Sequence, residues 1–430
     1  MSVEVNPVGS RCGAARGALS CVYCYQRPLH AEGSAVLPLN LEAVKKTVEG
    51  AKDDSFSLFG GEPLLAPLET LEALWSWGLV RYKRNGVQTG GRPIREEHYE
   101  LFRKYKVNVA FSIDGPGALN DARVAGNLEQ TRAATESSIA ALERCVREKL
   151  CSAVIVTINR HNATEDRLPL LVDWVRKLTS IGVTCLNFHN LEVDGPGRLV
   201  ALSTEENVRA FLRLWDLLPE LRGITYAQPF NDILALLRGK DAWKWNDGTP
   251  GGVGCTWTGC DPLTTPSVYG VEADGSRLLC SRVHKTRTAW TPAPSGPLFR
   301  QLALRETPQE DGGCKGCRQM ITCKGQCPGT AIGGDWRKRS RDCAFWRALL
   351  EEGERRLLSV GETPVTLRGD RDKIEERMAE WWAAGRPVRI ATVLSGDRPN
   401  GEYHGDHEDH KDHEDAALAV PYVAGQEEVK

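Results

Sequence analysis

Apolar and polar positions alternate over residues 3–8, which reads as a short strand running into a loop whose glycines and alanines promise no helix. Helical spacing of apolar residues follows in Leu39–Ala51. The apolar run Phe56–Phe59 then stops at Gly60-Gly61-Glu62-Pro63, and helical spacing resumes in Leu68–Leu79. The order strand, loop, helix repeats, with strands expected at Tyr82–Thr89, Val107–Ile113, Ala153–Asn159 and Val183–His189 and helices at Asn127–Leu150 and Ala163–Ile181. About six such units fall short of the eight that close a full barrel. The pattern therefore predicts an α/β fold, a partial (β/α)6 TIM-like barrel, with its chemistry on loops at the C-terminal ends of the strands.

After a helix expected at Glu205–Leu218, periodicity fades near residue 240 and Gly, Pro, Thr and Trp become frequent until about 343. A helix over Phe345–Leu358 closes this irregular unit, and an amphipathic helix over Arg371–Ala384 with a strand at Val388–Val393 is expected beyond it. The expected division is a barrel over 1–240, an irregular unit over 241–358, a small C-terminal helix and strand extension over 359–400, and a tail over 401–430. The last thirty residues carry nine acids against two lysines, with His404, His407, His410 and His413 at three-residue spacing, and read as a disordered, solvated tail. Weak divalent-metal binding by its histidines is the alternative.

The chain has 430 residues, 41% of them hydrophobic, so it can bury a large core. A formal charge of −2 supplies no global field for nucleic acid. Neither a long apolar run nor a charged-then-apolar leader is present, so the expectation is a cytoplasmic protein without membrane association.

Fourteen cysteines in a long leaderless chain point to metal binding rather than to a disulfide scaffold. Cys12, Cys21 and Cys24 stand on the loop after the first strand, eight more fall between 255 and 343, and Cys145, Cys151 and Cys185 read as small buried hydrophobes. Thiolates hold iron–sulfur clusters, normally four per cubane, so a group of three leaves one iron open to a substrate or cofactor. In the irregular segment, ligation would convert binding free energy into folding free energy.

Cys21-Val22-Tyr23-Cys24-Tyr25, Gly60-Gly61-Glu62-Pro63 and Phe111-Ser112-Ile113-Asp114-Gly115-Pro116, in this order on successive strand ends, resemble the radical S-adenosylmethionine (radical SAM) superfamily. The resemblance implies a partial barrel in which Cys12, Cys21 and Cys24 hold a [4Fe–4S] cluster and SAM chelates its fourth iron. Reduction then cleaves SAM to a 5′-deoxyadenosyl radical. It further implies that Gly60, Gly61, Glu62 and Pro63 meet the SAM amine, that Tyr23 lies beside adenine, and that Thr89, Ser112 and Asn159 contact ribose or carboxylate. Arg123 would pair with the SAM carboxylate. The first two cysteines depart from the usual spacing of that family, with eight residues between them instead of three. Closing the longer loop costs only ~0.9 kcal/mol, small beside roughly 10 kcal/mol for a structural metal site. Arg11 and Arg16 in this insert either face substrate or are solvated.

Cys314-x2-Cys317-x5-Cys323-x3-Cys327, with Cys343 downstream and Cys255, Cys260 and Cys280 upstream, is similar to the SPASM extension of radical SAM peptide-modifying enzymes. That likeness implies two auxiliary [4Fe–4S] clusters, one on Cys255, Cys260, Cys280 and Cys327 and one on Cys314, Cys317, Cys323 and Cys343, with the turn Ala273-Asp274-Gly275 belonging to the same pattern. Zinc is the alternative occupant of paired Cys-x2-Cys sites.

Together the resemblance implies hydrogen abstraction from a residue of a ribosomally made precursor peptide bearing a leader. An external reductant such as flavodoxin or ferredoxin would supply the electron. The chain starts almost directly with the barrel strand, so a separate leader-recognition protein is expected. Sulfatase maturation is ranked lower, because those enzymes place a basic aspartate after the third cysteine of the first auxiliary site, where Ser281 stands here. Asp114 and His189 are the candidate catalytic bases. Asp114 has turn capping, and His189 core packing, as the plain alternative. A non-enzymatic iron–sulfur electron carrier is the competing class, although it has no need of Gly60–Pro63, Ser112 or Arg123.

Overall fold

The computed structural model describes residues 2–8, 12, 21–26, 38–51, 56–92, 94–193, 195–240, 255–264, 267–284 and 297–399. Strand β1 (Ser2–Asn6) is followed by α1 (Leu41–Gly50), β2 (Phe56–Leu58), α2 (Leu68–Tyr82), β3 (Asn85–Thr89), α3 (Glu96–Lys104) and β4 (Val107–Ser112). Then come α4 (Leu128–Arg147), β5 (Ala153–Ile158), α5 (Leu168–Ser180), β6 (Cys185–Asn190), α6 (Thr204–Leu217), β7 (Tyr226–Gln228) and α7 (Phe230–Leu237). All seven strands run parallel, each beside the next in the chain, which is the α/β barrel wall that the alternation predicts. Among the described residues the sheet stays open, with order β7-β6-β5-β4-β3-β2-β1-β8-β9.

Several elements differ from expectation. The short β7 lies in a segment without long apolar runs, and α3 hides its apolar residues, Tyr99, Leu101 and Phe102, among charges. Tyr82 ends α2 instead of opening β3. Val388–Val393 is not a strand. Ile390–Leu394 forms a short helix, because Ile390 and Val393, three apart, bury together where α12 (Arg371–Ala383) packs.

The cysteine-rich stretch is joined to the barrel at both sheet edges. β8 (Val268–Glu272) adds to β1 in parallel, and β9 (Arg277–Leu279) folds back antiparallel through the turn at Ala273-Asp274-Gly275. At the other edge α11 (Cys343–Ser359) lies on α6 and α7, with the rings of Phe345 and Phe211 4.8 Å apart, edge to face. A Cβ on Gly353 would come within 2.7 Å of Leu237, so the small residue sets the closeness of that crossing. The shorter α8 (Ser281–His284), α9 (Phe299–Glu306) and α10 (Met320–Cys323) complete the unit. Trp381 and Trp382 of α12 and Cys145, Cys151 and Cys185 are all buried, as the packing reading of each expects.

Strand alternation sorts the barrel wall. Val3, Val5, Val87, Val109, Phe111, Leu186 and Phe188 are buried in the core beneath the helices. The opposite parity, Glu4, Ser57, Gln88, Ser112, Asn187 and His189, is less buried and carries the polar groups.

Candidate functional site

The loop after β1 brings Cys12, Cys21 and Cys24 together. Cys24 N–H donates to Cys21 O at 3.0 Å, and Val22 N–H to Ala122 O at 2.8 Å, which ties the loop to the segment after β4. Burial pushes the Cys12 thiol up to about 12, and Cys21, Glu62 and Cys24 act in the same direction while Arg92 opposes them. Residues 13–20, including Arg16, and Arg11 lie outside the described residues.

The turn after β2 needs Gly60, whose φ of 119° lies outside the range of ordinary side chains. Glu62 then caps the 3₁₀ turn Pro63–Leu65. Its Oε1 accepts from Thr89 Oγ1 at 2.8 Å and from Leu64 N–H at 3.3 Å, and its Oε2 from Gly90 N–H at 2.8 Å. Burial nevertheless holds its carboxyl above the usual range. Thr89 Oγ1 also accepts from Gly91 N–H at 2.9 Å, so its proton is spent on Glu62. Ser112 Oγ accepts from Gln88 Nε2 at 2.7 Å and keeps its own proton to donate.

Asp114 is the hub of the next loop. Its Oδ1 accepts from Thr157 N–H at 2.9 Å and pairs with Arg123 at 3.0 Å, while its Oδ2 accepts from the Tyr23 hydroxyl and, at 3.5 Å, from Asn159 Nδ2. Its backbone N–H donates to Asn120 Oδ1 at 2.8 Å. Both carboxylate oxygens are thus engaged. Asn159 is spent likewise, donating to Thr157 O at 2.9 Å and accepting from His161 N–H at 2.8 Å. Arg123 lies 5.6 Å from the Tyr23 ring centre. Burial, the largest influence on Arg123, disfavours its charge, but Asp114, Tyr23 and Cys21 more than compensate. Arg123 Nε is buried with no hydrogen-bond partner among the described residues.

His189, on β6, has its pKa lowered to about 3, by burial and by the charges of Arg282 and Arg123, so it is neutral at ordinary pH. The same arginine gathers residues that the sequence did not single out. Arg282 Nε lies 3.7 Å from Glu192 Oε2, and its guanidinium 5.7 Å from the Tyr25 ring centre. Glu4, from the inner parity of β1, is raised to about 7 by burial, with Arg282 opposing. The signal for Glu4 is a charged residue between Val3 and Val5 on a central strand. Arg282 and Glu192 carry no such mark, since their meeting depends on β8 and β9 pairing beside β1.

The remaining thiols fall into two sets. Burial followed by Cys327 raises Cys255, to about 12, and Cys280, and Cys260 adds to both. Cys260 is itself raised by burial, against a 3.4 Å hydrogen bond from Ser267 N–H. Burial followed by Cys317 and Cys343 raises Cys314 to about 12, and burial followed by Cys314, Cys343 and Cys317 raises Cys323. Cys314, Cys317, Cys323 and Cys343 also line one small cavity with Met320, Gln326 and Arg339. Among the described residues no three His, Cys, Asp or Glu side chains converge closely enough for a single metal ion. The side chain of Ser281 and the histidines of the tail lie outside the described residues.

The open, parallel α/β barrel with its cysteine-rich extension has the fold of solved enzymes that bind AdoMet. Particular likenesses follow. The structure superposes on anSMEcpe, an anaerobic sulfatase-maturating enzyme solved with bound AdoMet and the Cp18Cys peptide, with TM-score 0.59 and 18% identity over 84% of this chain and 98% of that one. The same enzyme with AdoMet and the Kp18Cys peptide gives TM-score 0.60 at 19% identity, with the same coverage. The serine-type anaerobic sulfatase-maturating enzyme of Bacteroides thetaiotaomicron is 29% identical over 132 residues, which span 28% of this chain and only 30% of that relative. No family model matches. Among the described residues no helix is long and apolar enough to cross a membrane.

Proposed function

We propose that the chain is a radical SAM/SPASM enzyme that abstracts hydrogen from one residue of a peptide or protein segment. The observation that carries this reading is the sorting of eleven thiols into a set of three and two sets of four. A set of three fits a cubane with one open iron, and sets of four fit closed auxiliary clusters. When bound, the cluster and SAM would supply reductive cleavage to a 5′-deoxyadenosyl radical.

The residues divide the remaining work. Arg123, its Nε unpartnered among the described residues, would receive the SAM carboxylate, and Ser112 keeps a hydroxyl proton for the same ligand. Gly60 to Pro63 form the turn that would meet its amine. Asp114, Thr89 and Asn159 hold Arg123, Tyr23 and Glu62 in place and are positioning residues in this reading. His189, neutral between two arginines, offers hydrogen bonds to substrate, but it is too weak a base to hold a proton at neutral pH.

Oxidation of a Ser or Cys residue in the manner of the sulfatase maturases now stands ahead of precursor-peptide maturation, because the solved neighbours bear peptides and the curated relative is of the serine type. Ser281 keeps the second reading alive, since a neutral hydroxyl cannot replace an aspartate base. The test is anaerobic incubation of the reconstituted, reduced protein with SAM and peptides centred on Ser or Cys. Formation of 5′-deoxyadenosine together with a peptide short of two hydrogens for Ser supports the first reading. Turnover of SAM with none of these peptides changed, but with a cysteine-rich precursor crosslinked, supports the second.

A further inference from the structure

Arg300, on α9, is fully buried, and among the described residues only backbone carbonyls receive its guanidinium. Its Nε donates to Trp336 O at 2.7 Å, one terminal nitrogen to Lys324 O at 3.2 Å, and the other to Gly325 O at 3.1 Å and Lys338 O at 3.4 Å. These neutral carbonyls satisfy the donors but contribute no net charge. Gly325 eases the approach, because its φ is 72° and a Cβ there would come within 2.5 Å of the Leu304 side chain. Asp261 accepts only the backbone N–H of Arg300, at 2.8 Å, and spends its other oxygen on Leu263 and Thr264 N–H.

A buried guanidinium cannot shed its proton, so its charge needs an anion nearby. The backbone N–H of Arg300 is held by Asp261, the residue that follows Cys260 of the first set. Its guanidinium is held by the carbonyls of Lys324 and Gly325, which in the chain follow Cys323 of the second set and precede Cys327 of the first, so Arg300 is bonded beside segments that carry thiols of both sets. Free thiols are neutral and metal ligation makes them thiolates, which is when the charge becomes compensated.

We propose that Arg300 is the shared counter-charge of the two four-thiolate sets, a positioning residue that favours the more negative, reduced state of both auxiliary clusters. This rests on the reading of those sets as cluster sites. Reduction potential follows the charge around a cluster, so removing a cation common to two clusters lowers both potentials together.

The experiment is a redox titration of the reconstituted full chain followed by electron paramagnetic resonance, with iron counted and circular dichroism recorded, for the wild type, Arg300→Gln and Arg300→Lys. Expected is a shift of both auxiliary potentials to more negative values in R300Q, or loss of both clusters there, with R300K close to wild type in iron and potential. Unchanged potentials in R300Q, a shift of one cluster alone, or equal loss of clusters in R300K and R300Q overturns the proposal; equal loss marks the guanidinium fork as a tether and nothing more. Wild-type protein that takes up zinc, or no auxiliary iron, instead overturns the cluster reading beneath it.

Discussion

Asp114 shows how a residue chosen from a motif acquires its role from neighbours far along the chain. The stretch Ser112 to Pro116 marks it as functional, but of its partners only Asn120 and Arg123 share its loop, while Tyr23 comes from the loop after β1 and Thr157 and Asn159 from the end of β5. Asp114→Ala would leave Arg123 charged and only 12% exposed without its partner. The expected loss is roughly 3–5 kcal/mol of folding free energy, measured by denaturant unfolding. Stability equal to wild type would contradict the positioning role. The thiols were legible because ligand chemistry leaves a spacing in the sequence. Glu4, Glu192 and Arg282 were not, because their meeting follows from how the second unit docks, and no spacing records that.

At the scale of elements, the long helices and central strands were readable from period, since each buries one clean face. The helix α3 was not, with five of its nine residues acidic or basic on the exposed side. Its start depends on His98, whose Nδ1 accepts from Arg95 N–H at 3.1 Å. Burial is the main cause lowering the pKa of His98 below its ordinary 6.5. A folded-state value below the unfolded one gives a contribution that is complete above about pH 6.5 and lost as pH falls, when the buried ring must charge and release the Arg95 N–H. Thermal melts of wild type and His98→Gln should therefore differ most near pH 7.5 and converge towards pH 5. A gap that stays constant with pH would exclude the titration of His98 as its cause.

At the scale of the molecule, the wall of seven parallel strands is extended by β8 and β9 at one edge, and α11 sits against α6 and α7 at the other. The cysteine-rich unit is therefore built onto both edges of the open sheet, and Arg282 reaches the inner parity of β1 from it. Alternation predicted an open barrel, but nothing in the composition of the irregular segment marked a strand that would pair with the first one. The division between barrel and cysteine-rich unit near residue 240 is thus one of composition, while the sheet itself is continuous. The central claim is that Cys12, Cys21 and Cys24 hold a cluster whose open position takes SAM. It is tested most directly by counting iron and 5′-deoxyadenosine in anaerobically reconstituted, dithionite-reduced protein, beside the Cys21→Ala/Cys24→Ala variant. Three cubanes predict about twelve irons per wild-type chain and about eight in the variant, with 5′-deoxyadenosine formed by the wild type alone. Equal iron in both proteins, or no 5′-deoxyadenosine from a wild type carrying its full iron, would contradict it.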